Sequence, residues 1–227
     1  MHKKITNQPF EDAFLIAKKP YLEKKIISIL LTKNHGIIHA ITYQSKQKKQ
    51  NLELFNLLAC QLLVKTSMSQ LKTVEVQKPY PPLQGQYVFA GLYINELIYK
   101  LFQPNEPQKK LFSLYQHTLE NLINRKSIKQ TIRLFEHTLQ LLLGYGLNTH
   151  VLEEYDSDWF IFHPETGLTP CLDNTSEAIH RTTLQQLTNT NFTEAKTQQA
   201  SKAIFAQILK HILGEKKIFI TQMMPKE

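Results

Sequence analysis

The sequence has 227 residues and a formal net charge of +8, which is enough chain for one large domain or two small ones with hydrophobic cores. Its hydrophobic content of 42% and aromatic content of 10% are typical of a soluble globular protein. No apolar run approaches the roughly 20 residues that a membrane span needs, and the N-terminus lacks the apolar segment of a secretory signal. We therefore expect a cytoplasmic protein that does not bind membranes, with Cys60 and Cys171 as reduced thiols.

The positive charge is concentrated in the first third of the sequence. Residues 1–80 hold 13 Lys, no Arg and 5 acidic residues, a balance of +8, whereas residues 81–227 hold 14 basic and 14 acidic residues. This asymmetry predicts a module that binds a polyanion, attached to a neutral one. The alternative is a lysine-rich surface that serves only solubility.

The first 80 residues have the pattern of short strands. The apolar runs 13–17, 26–31 and 37–42 are rich in β-branched residues, and the turn before Gly36 predicts a hairpin between the last two. Residues 71–76 suggest a further, partly buried strand. The run from 54 to 66 is either another strand or a helix, because it has no turn signals and few β-branched residues. Five short strands without a long helix suit a small closed barrel of the OB type.

Three prolines within residues 79–82 mark a boundary, and we expect a barrel domain at 1–80 and a helical domain at 81–227. The fold class is then α+β: an N-terminal OB-type β-barrel followed by a mainly helical C-terminal domain with a small hairpin. Apolar periodicity predicts helices at 86–102, 108–123 and 127–145, the third capped by Ser127 with Gln130. Residues 147–172 predict the hairpin, and two later helices are expected to start with capping boxes, at Asn174 with Glu177 and at Asn191 with Glu194, the last helix ending before Gly214.

The sequence contains no recognisable catalytic motif. It has no glycine-lysine phosphate loop, no dinucleotide-binding glycine pattern and no nucleophile elbow. The spacing of the possible metal ligands His150, His163, Cys171, Asp173 and His180 matches no common zinc pattern. We expect no enzyme activity, no metal and no cofactor. A hydrolase with carboxylates among Glu153, Glu154, Asp156 and Asp158 is the alternative to a solvated acidic turn.

Lysines near aromatic residues are the best candidates for contacts with nucleic acid. Lys46, Lys48 and Lys49 lie between predicted strands, where an OB barrel presents its loops, and exposed lysines can neutralise phosphates. Two further lysine pairs flank the segment 20–22, and Tyr21 or Tyr43 can stack on a base or simply pack in the barrel. The predicted DNA-binding set is Lys18, Lys19, Lys24, Lys25, Tyr43, Lys46, Lys48 and Lys49.

The segment 91–97, GLYINEL, resembles the start of the helical domain in the RecO family of bacterial recombination mediators. The resemblance continues through Arg133 with Phe135-Glu136, the Leu-Gly-Tyr-Gly at 143–146 and the Met-Pro-Lys at 224–226. It is looser in the N-terminal third, at Lys19-Pro20 with Glu23 and at Gly36 followed by a basic loop. From the residues themselves we expect Gly91 to let another backbone approach, and Asn95 and Glu96 to satisfy buried polar groups or a domain junction.

The resemblance implies a protein that binds and anneals single- and double-stranded DNA and helps load a recombinase. It also implies a RecR-like partner, docking onto the C-terminal tail of single-stranded DNA-binding protein, and a place in the bacterial cytoplasm, at the nucleoid during repair. Arg133 falls where a tail-binding arginine occurs in this family, and Lys129 lies one turn earlier, so both are predicted to bind that partner. An OB-fold RNA-binding adaptor is the alternative function.

Two features depart from the family pattern. Many relatives carry four zinc-binding cysteines after the Gly-Tyr-Gly, whereas this region holds only Cys171. The basic loop contains lysine and glutamine instead of an arginine-rich sequence.

Overall fold

A computed structural model describes residues 9–43, 52–172 and 175–220. It confirms the α+β class, with a closed five-stranded barrel followed by helices and a small sheet. The barrel strands are β1 Glu11–Leu22, β2 Lys25–Thr32, β3 Gly36–Tyr43, β4 Leu57–Leu63 and β5 Ser69–Lys78. They are followed by α1 Gln86–Leu101, α2 Lys109–Ile123, α3 Ile128–Leu142, α4 Val151–Glu154, β6 Trp159–His163, β7 Gly167–Cys171, β8 Ile179–His180, α5 Arg181–Thr188 and α6 Ala195–Leu213.

The barrel has the strand order β1-β2-β3-β5-β4 and closes where β4 pairs with β1. All of its pairings are antiparallel except that of β3 with β5. This is the five-stranded arrangement of the OB type. The predicted hairpin of β2 and β3 forms, and its turn reaches Gly36 at a φ of 69°, a conformation that glycine adopts without a steric penalty.

The ambiguous run after residue 54 is a strand. Burial in β4 alternates strictly along the chain, so that Leu58, Cys60 and Leu62 enter the core and their neighbours do not. That period of two belongs to a strand with one buried face. Burial raises the pKa of the Cys60 thiol to about 12, with a smaller contribution from Glu11, so the thiol stays protonated and unreactive.

Helix α1 is locked onto the barrel by one buried amide. The Asn95 side chain donates a hydrogen bond to the Ile16 carbonyl of β1 at 3.0 Å and accepts one from the Tyr115 hydroxyl of α2 at 2.8 Å. Asn95 and Tyr115 are both buried. The neighbouring Glu96 carboxylate pairs with Lys100 at 2.9 Å and accepts a bond from the Ile220 amide. The expectation that these two motif residues satisfy buried or junction polar groups is confirmed.

Gly91, in the same motif, serves a different contact from the one expected. A Cβ at this position would lie 2.8 Å from the Phe55 ring and 2.9 Å from the Leu83 side chain. Glycine at this position therefore makes room for two side chains, and not for another backbone.

The later part of the chain has its own core, centred on residues of the small sheet and of α5 and α6. The Arg181 guanidinium crosses this region and donates hydrogen bonds to the carbonyls of Leu152, Tyr155 and Ser157. Its carbon also lies 5.5 Å from the centre of the Phe160 ring. One side chain thus ties the segment after α4 to the start of α5.

Helix starts were predicted with mixed success. Ser127 caps α3 by accepting a bond from the Gln130 amide, as expected. The other two capping boxes are wrong. Helix α5 begins at Arg181 with His180 as its cap, and Asn174 lies outside the described residues. Helix α6 begins at Ala195, because Asn191 instead bonds the amide and hydroxyl of Thr193 in the preceding turn.

Contacts divide the chain into two compact units, residues 1–119 with 220–227, and residues 120–219. The division falls within α2, since α1 belongs with the barrel to which Asn95 binds it. The boundary at residue 80 stays a prediction, based on sequence pattern. Within the part of the chain that the structure describes, no helix is both long and apolar enough to cross a membrane.

We expect Tyr115→Phe to destabilise the first unit by about 1–3 kcal/mol, because the buried Asn95 oxygen then loses its donor. Denaturant unfolding measures the change in the free energy of unfolding. Tyr155→Phe, at a tyrosine that is 49% exposed, is the matched control and is expected to change it little. Equal effects of the two substitutions would contradict this account of the α1–barrel junction.

Acid is expected to weaken the second unit through His137. Burial lowers the pKa of this imidazole below its ordinary 6.5, so the folded state holds it neutral while the unfolded state takes up a proton. Its contribution is fully present above about pH 6.5 and is lost as the pH falls from there toward the folded pKa. Denaturation midpoints at pH 7.5, 6.5 and 5.5 are expected to fall less steeply for His137→Gln than for wild type or for His150→Gln, an exposed control. Parallel curves for all three proteins would rule this out.

Candidate nucleic-acid interface

The best candidate site is the outer face of the barrel at the ends of β1, β2 and β3. Lys25 of β2 lies directly opposite Tyr43 of β3. Two residues further along β2, Ile27 lies between Lys19 of β1 and Ile41 of β3. Side chains directly opposite each other on antiparallel strands share a face, and rows two residues apart are separated by about 7 Å. We call this surface the Lys19–Lys25–Tyr43 face.

Tyr43 presents an aromatic surface beside a cation. Its side chain is 55% exposed, and the Lys25 ammonium lies 5.0 Å from its ring centre. Tyr21, near the end of β1, and Lys24, in the β1–β2 turn, are also exposed. An aromatic ring next to unneutralised lysines is the combination with which proteins hold single-stranded nucleic acid, by stacking and by phosphate contact.

The two consecutive lysines of β1 do not act together. Lys18 is aligned with the buried Ser28 and Lys19 with Ile27, so their side chains leave opposite faces of the strand. Lys18 instead lines an open groove of about 540 Å³ whose other walls include Ile16, Leu54 and Leu92. Of the predicted lysines, the structure therefore brings Lys19 and Lys25 to one surface and places Lys18 on another.

The rest of the outer face of β2 and β3 is covered by the chain itself. Ile29 is fully buried and Ile37 almost fully buried. The backbone N–H of Asn105 donates a 2.8 Å hydrogen bond to the Ile37 carbonyl. A Cβ on Gly36 would overlap the Glu106 carbonyl, which shows how closely the 104–107 segment covers this edge. Among the described residues, the strand face that OB barrels use for oligonucleotides is thus left uncovered at the Lys19–Lys25–Tyr43 end.

The lysines of this open end are not paired with carboxylates in the described part of the structure. None of Lys18, Lys19, Lys24 and Lys25 forms an ion pair with a described carboxylate, whereas Lys33, at the opposite end of β2, pairs with Asp12 at 3.3 Å. Unpaired cations remain available to phosphates. Lys46, Lys48 and Lys49 follow Tyr43 in sequence but lie outside the described residues, so their role stays a prediction.

Sequence reasoning missed two residues at this surface. The Tyr99 hydroxyl of α1 accepts a hydrogen bond from the Lys19 ammonium, which lies 4.4 Å from the centre of the Tyr99 ring. His39 of β3 approaches the same ring, with centroids 6.2 Å apart. Burial, and secondarily the Lys19 charge, lowers the pKa of His39 and keeps its imidazole neutral near pH 7. Tyr99 is 80 residues from Lys19, and no local pattern connects them.

The predicted partner-binding residues lie on α3, on a separate compact unit. Lys129 is exposed, but the Arg133 guanidinium is only 15% exposed and pairs with the buried Glu136 carboxylate at 2.6 Å. Arg133 is therefore mostly buried and already paired with a carboxylate of its own helix. It borders the buried stripe of Ile132, Phe135 and Leu139.

Among the described residues, no three His, Cys, Asp or Glu side chains lie close enough to share a metal ion. Of the possible ligands named from sequence, His180 instead packs against the Trp159 ring and caps α5. Asp173 lies outside the described residues.

Comparisons with known proteins identify the family of this chain. The family model described as Recombination protein O C terminal matches residues 83–217, more than half of the chain. The DNA repair protein RecO of Coxiella burnetii (strain CbuG_Q212) is 28% identical over 99% of this chain and 100% of its own length. Those of Nitrosococcus oceani and Methylococcus capsulatus are 28% and 27% identical, over 92% and 90% of this chain and 89% and 88% of their own lengths. With the GLYINEL segment and an OB-type barrel before this helical region, the chain belongs to the RecO family.

Proposed function

We propose that this protein binds single- and double-stranded DNA in recombinational repair and acts as a mediator, without a catalytic site of its own. Family membership supports the role in repair and recombination. The observation that carries the DNA-binding assignment is the exposed Lys19–Lys25–Tyr43 face at the open end of the barrel. In this proposal the protein anneals complementary strands and helps load a recombinase onto DNA coated by single-stranded DNA-binding protein.

The side chains of this face are suited to binding DNA independently of its nucleotide sequence. Lysine is a mobile point charge that neutralises phosphate but reads bases poorly, and a tyrosine ring stacks on any base. A protein that pairs arbitrary complementary strands needs this kind of contact, because base-edge recognition would restrict it to particular sequences. Lys46, Lys48 and Lys49, which follow Tyr43 in the sequence, are part of the proposed DNA-binding set.

Two protein partners complete the proposal: a RecR-like protein, and the acidic C-terminal tail of single-stranded DNA-binding protein. For the tail, Arg133 stands beside an apolar stripe, and a guanidinium can bind the terminal carboxylate of a peptide whose last side chain is apolar. In the structure, that guanidinium forms an ion pair with the Glu136 carboxylate at 2.6 Å. An incoming carboxylate would have to share Arg133 with Glu136, while Lys129 supplies a second cation one turn away.

Removing Lys24 and Lys25 together is expected to weaken DNA binding and to flatten its salt dependence. Each lost contact to single-stranded phosphate reduces the slope of log K against log salt by about 0.7, so the double alanine variant is expected to lose about 1.4. Titration of labelled single-stranded DNA across a salt series measures this slope.

Lys109→Ala with Lys110→Ala is the matched control, since it removes the same charge from the exposed start of α2. An equal loss of slope in the control would show a general charge effect and contradict the assigned surface. RNA of the same sequence is titrated in parallel, and tighter binding of RNA than of DNA would favour an RNA-binding adaptor instead.

For the tail, the informative comparison is Arg133→Ala/Glu136→Gln against Glu136→Gln alone, because Arg133→Ala by itself strands a buried carboxylate. Loss of a charge-assisted contact worth roughly 1.5–3 kcal/mol is expected to lower affinity for an acidic peptide ending in an apolar residue by about tenfold or more. Binding of the DNA strand is expected to be the same in both variants. Equal peptide affinities, or a parallel loss of DNA binding, would overturn the assignment of Arg133.

A further inference from the structure

We propose that Tyr99 is a positioning residue of the DNA interface, which holds the Lys19 ammonium on the barrel face where it meets a phosphate. The inference rests on the proposed DNA-binding function and deepens it. Tyr99 accepts a hydrogen bond from Lys19 and places its ring 4.4 Å from the ammonium. A helix outside the barrel thereby becomes part of the nucleic-acid site.

The partner of Lys19 leaves its charge intact. A phenol hydroxyl and a ring face orient an ammonium without neutralising it, whereas a carboxylate cancels it. Two other lysines of the same compact unit show the contrast: Lys33 pairs with Asp12 at 3.3 Å and Lys100 with Glu96 at 2.9 Å. Lys19 is therefore held in place and still fully charged.

Orientation matters because a lysine side chain has many rotamers. A solvent-exposed lysine loses this freedom when it binds a phosphate, and the loss opposes binding. An ammonium that is already held over the face has less freedom to lose, so its phosphate contact is more favourable. Tyr99 would thus strengthen DNA binding without touching DNA.

The position of Tyr99 is fixed by the contact that holds α1 on the barrel. Tyr99 follows Asn95 by one helical turn, so the two side chains lie on the same side of α1. Asn95 binds the Ile16 carbonyl of β1 at 3.0 Å, and Tyr99 meets Lys19 further along the same strand. His39 supports the ring from β3, with centroids 6.2 Å apart, and as a neutral imidazole it does not repel the ammonium.

The test is a double-mutant cycle on DNA binding. Wild type, Lys19→Ala, Tyr99→Leu and the double variant are titrated with labelled oligo(dT) across a salt series, and thermal melting checks that each is folded. Lys19→Ala is expected to reduce the slope of log K against log salt by about 0.7, the value for one phosphate contact. Tyr99→Leu keeps the Lys19 charge, so it is expected to lower DNA affinity at every salt concentration with little change of slope. In the Lys19→Ala background the same substitution is expected to cause no further loss of affinity.

A role of Tyr99 in folding alone gives a different result. In that case Tyr99→Leu lowers the melting temperature and changes DNA affinity by the same factor with and without Lys19, which would overturn the proposal. If Tyr99→Leu does not fold, Tyr99→Phe replaces it in the cycle, since it keeps the ring and removes only the acceptor. Tyr99→Phe protein with the slope and the affinity of wild type would then refute the role of the hydroxyl. Wild-type protein that shows no salt-dependent DNA binding would refute the proposed function itself, whereas normal wild-type binding with an unchanged Lys19→Ala slope refutes only this inference.

Discussion

The Asn95 amide is the interaction on which the arrangement of the first unit depends. It is buried, and it uses a donor and an acceptor to join three elements: the Ile16 carbonyl of β1, the Tyr115 hydroxyl of α2 and its own helix α1. An apolar side chain at position 95 would leave both partners buried without a hydrogen bond, which costs more than the bonds contribute when they are present. The geometry is also directional, so it fixes where α1 lies along β1 as well as holding it there.

That placement decides which part of the barrel can meet a ligand. The Phe14 ring packs against Phe112 and Tyr115 of α2, and the segment after α1 covers the β2–β3 edge near Ile37. An isolated OB barrel would offer the whole outer face of these strands. In the part of the chain that the structure describes, the end with Lys19, Lys25 and Tyr43 stays open, and α1 adds Tyr99 to it. The helices thus narrow a general binding face to a small basic, aromatic patch.

The sequence predicts the elements of this protein better than the site. Short apolar runs rich in β-branched residues and the Gly36 turn mark the strands, and the Ser127 cap marks α3, because these signals are local. The helix starts at Arg181 and Ala195 were misplaced, since Asn and Glu at the right spacing form turns as readily as capping boxes. The pairing of Lys25 with Tyr43 requires strand register, and that of Lys19 with Tyr99 requires the docking of α1. The Glu136 partner of Arg133 was visible three residues away in the sequence, but its burial was not.

The use of lysine at this patch bears on the DNA binding proposed for it. Arginine would give bidentate contacts to phosphate or guanine, which are strong and geometrically demanding. Lysine gives weaker contacts without a preferred orientation, and a strand bound in this way can shift to pair with its complement. The cation–aromatic pairs of Lys25 with Tyr43 and of Lys19 with Tyr99 restrict the lysines without removing their charge. A patch with these properties is suited to the proposed annealing of arbitrary strands, because its contacts would be charged, partly ordered and independent of sequence.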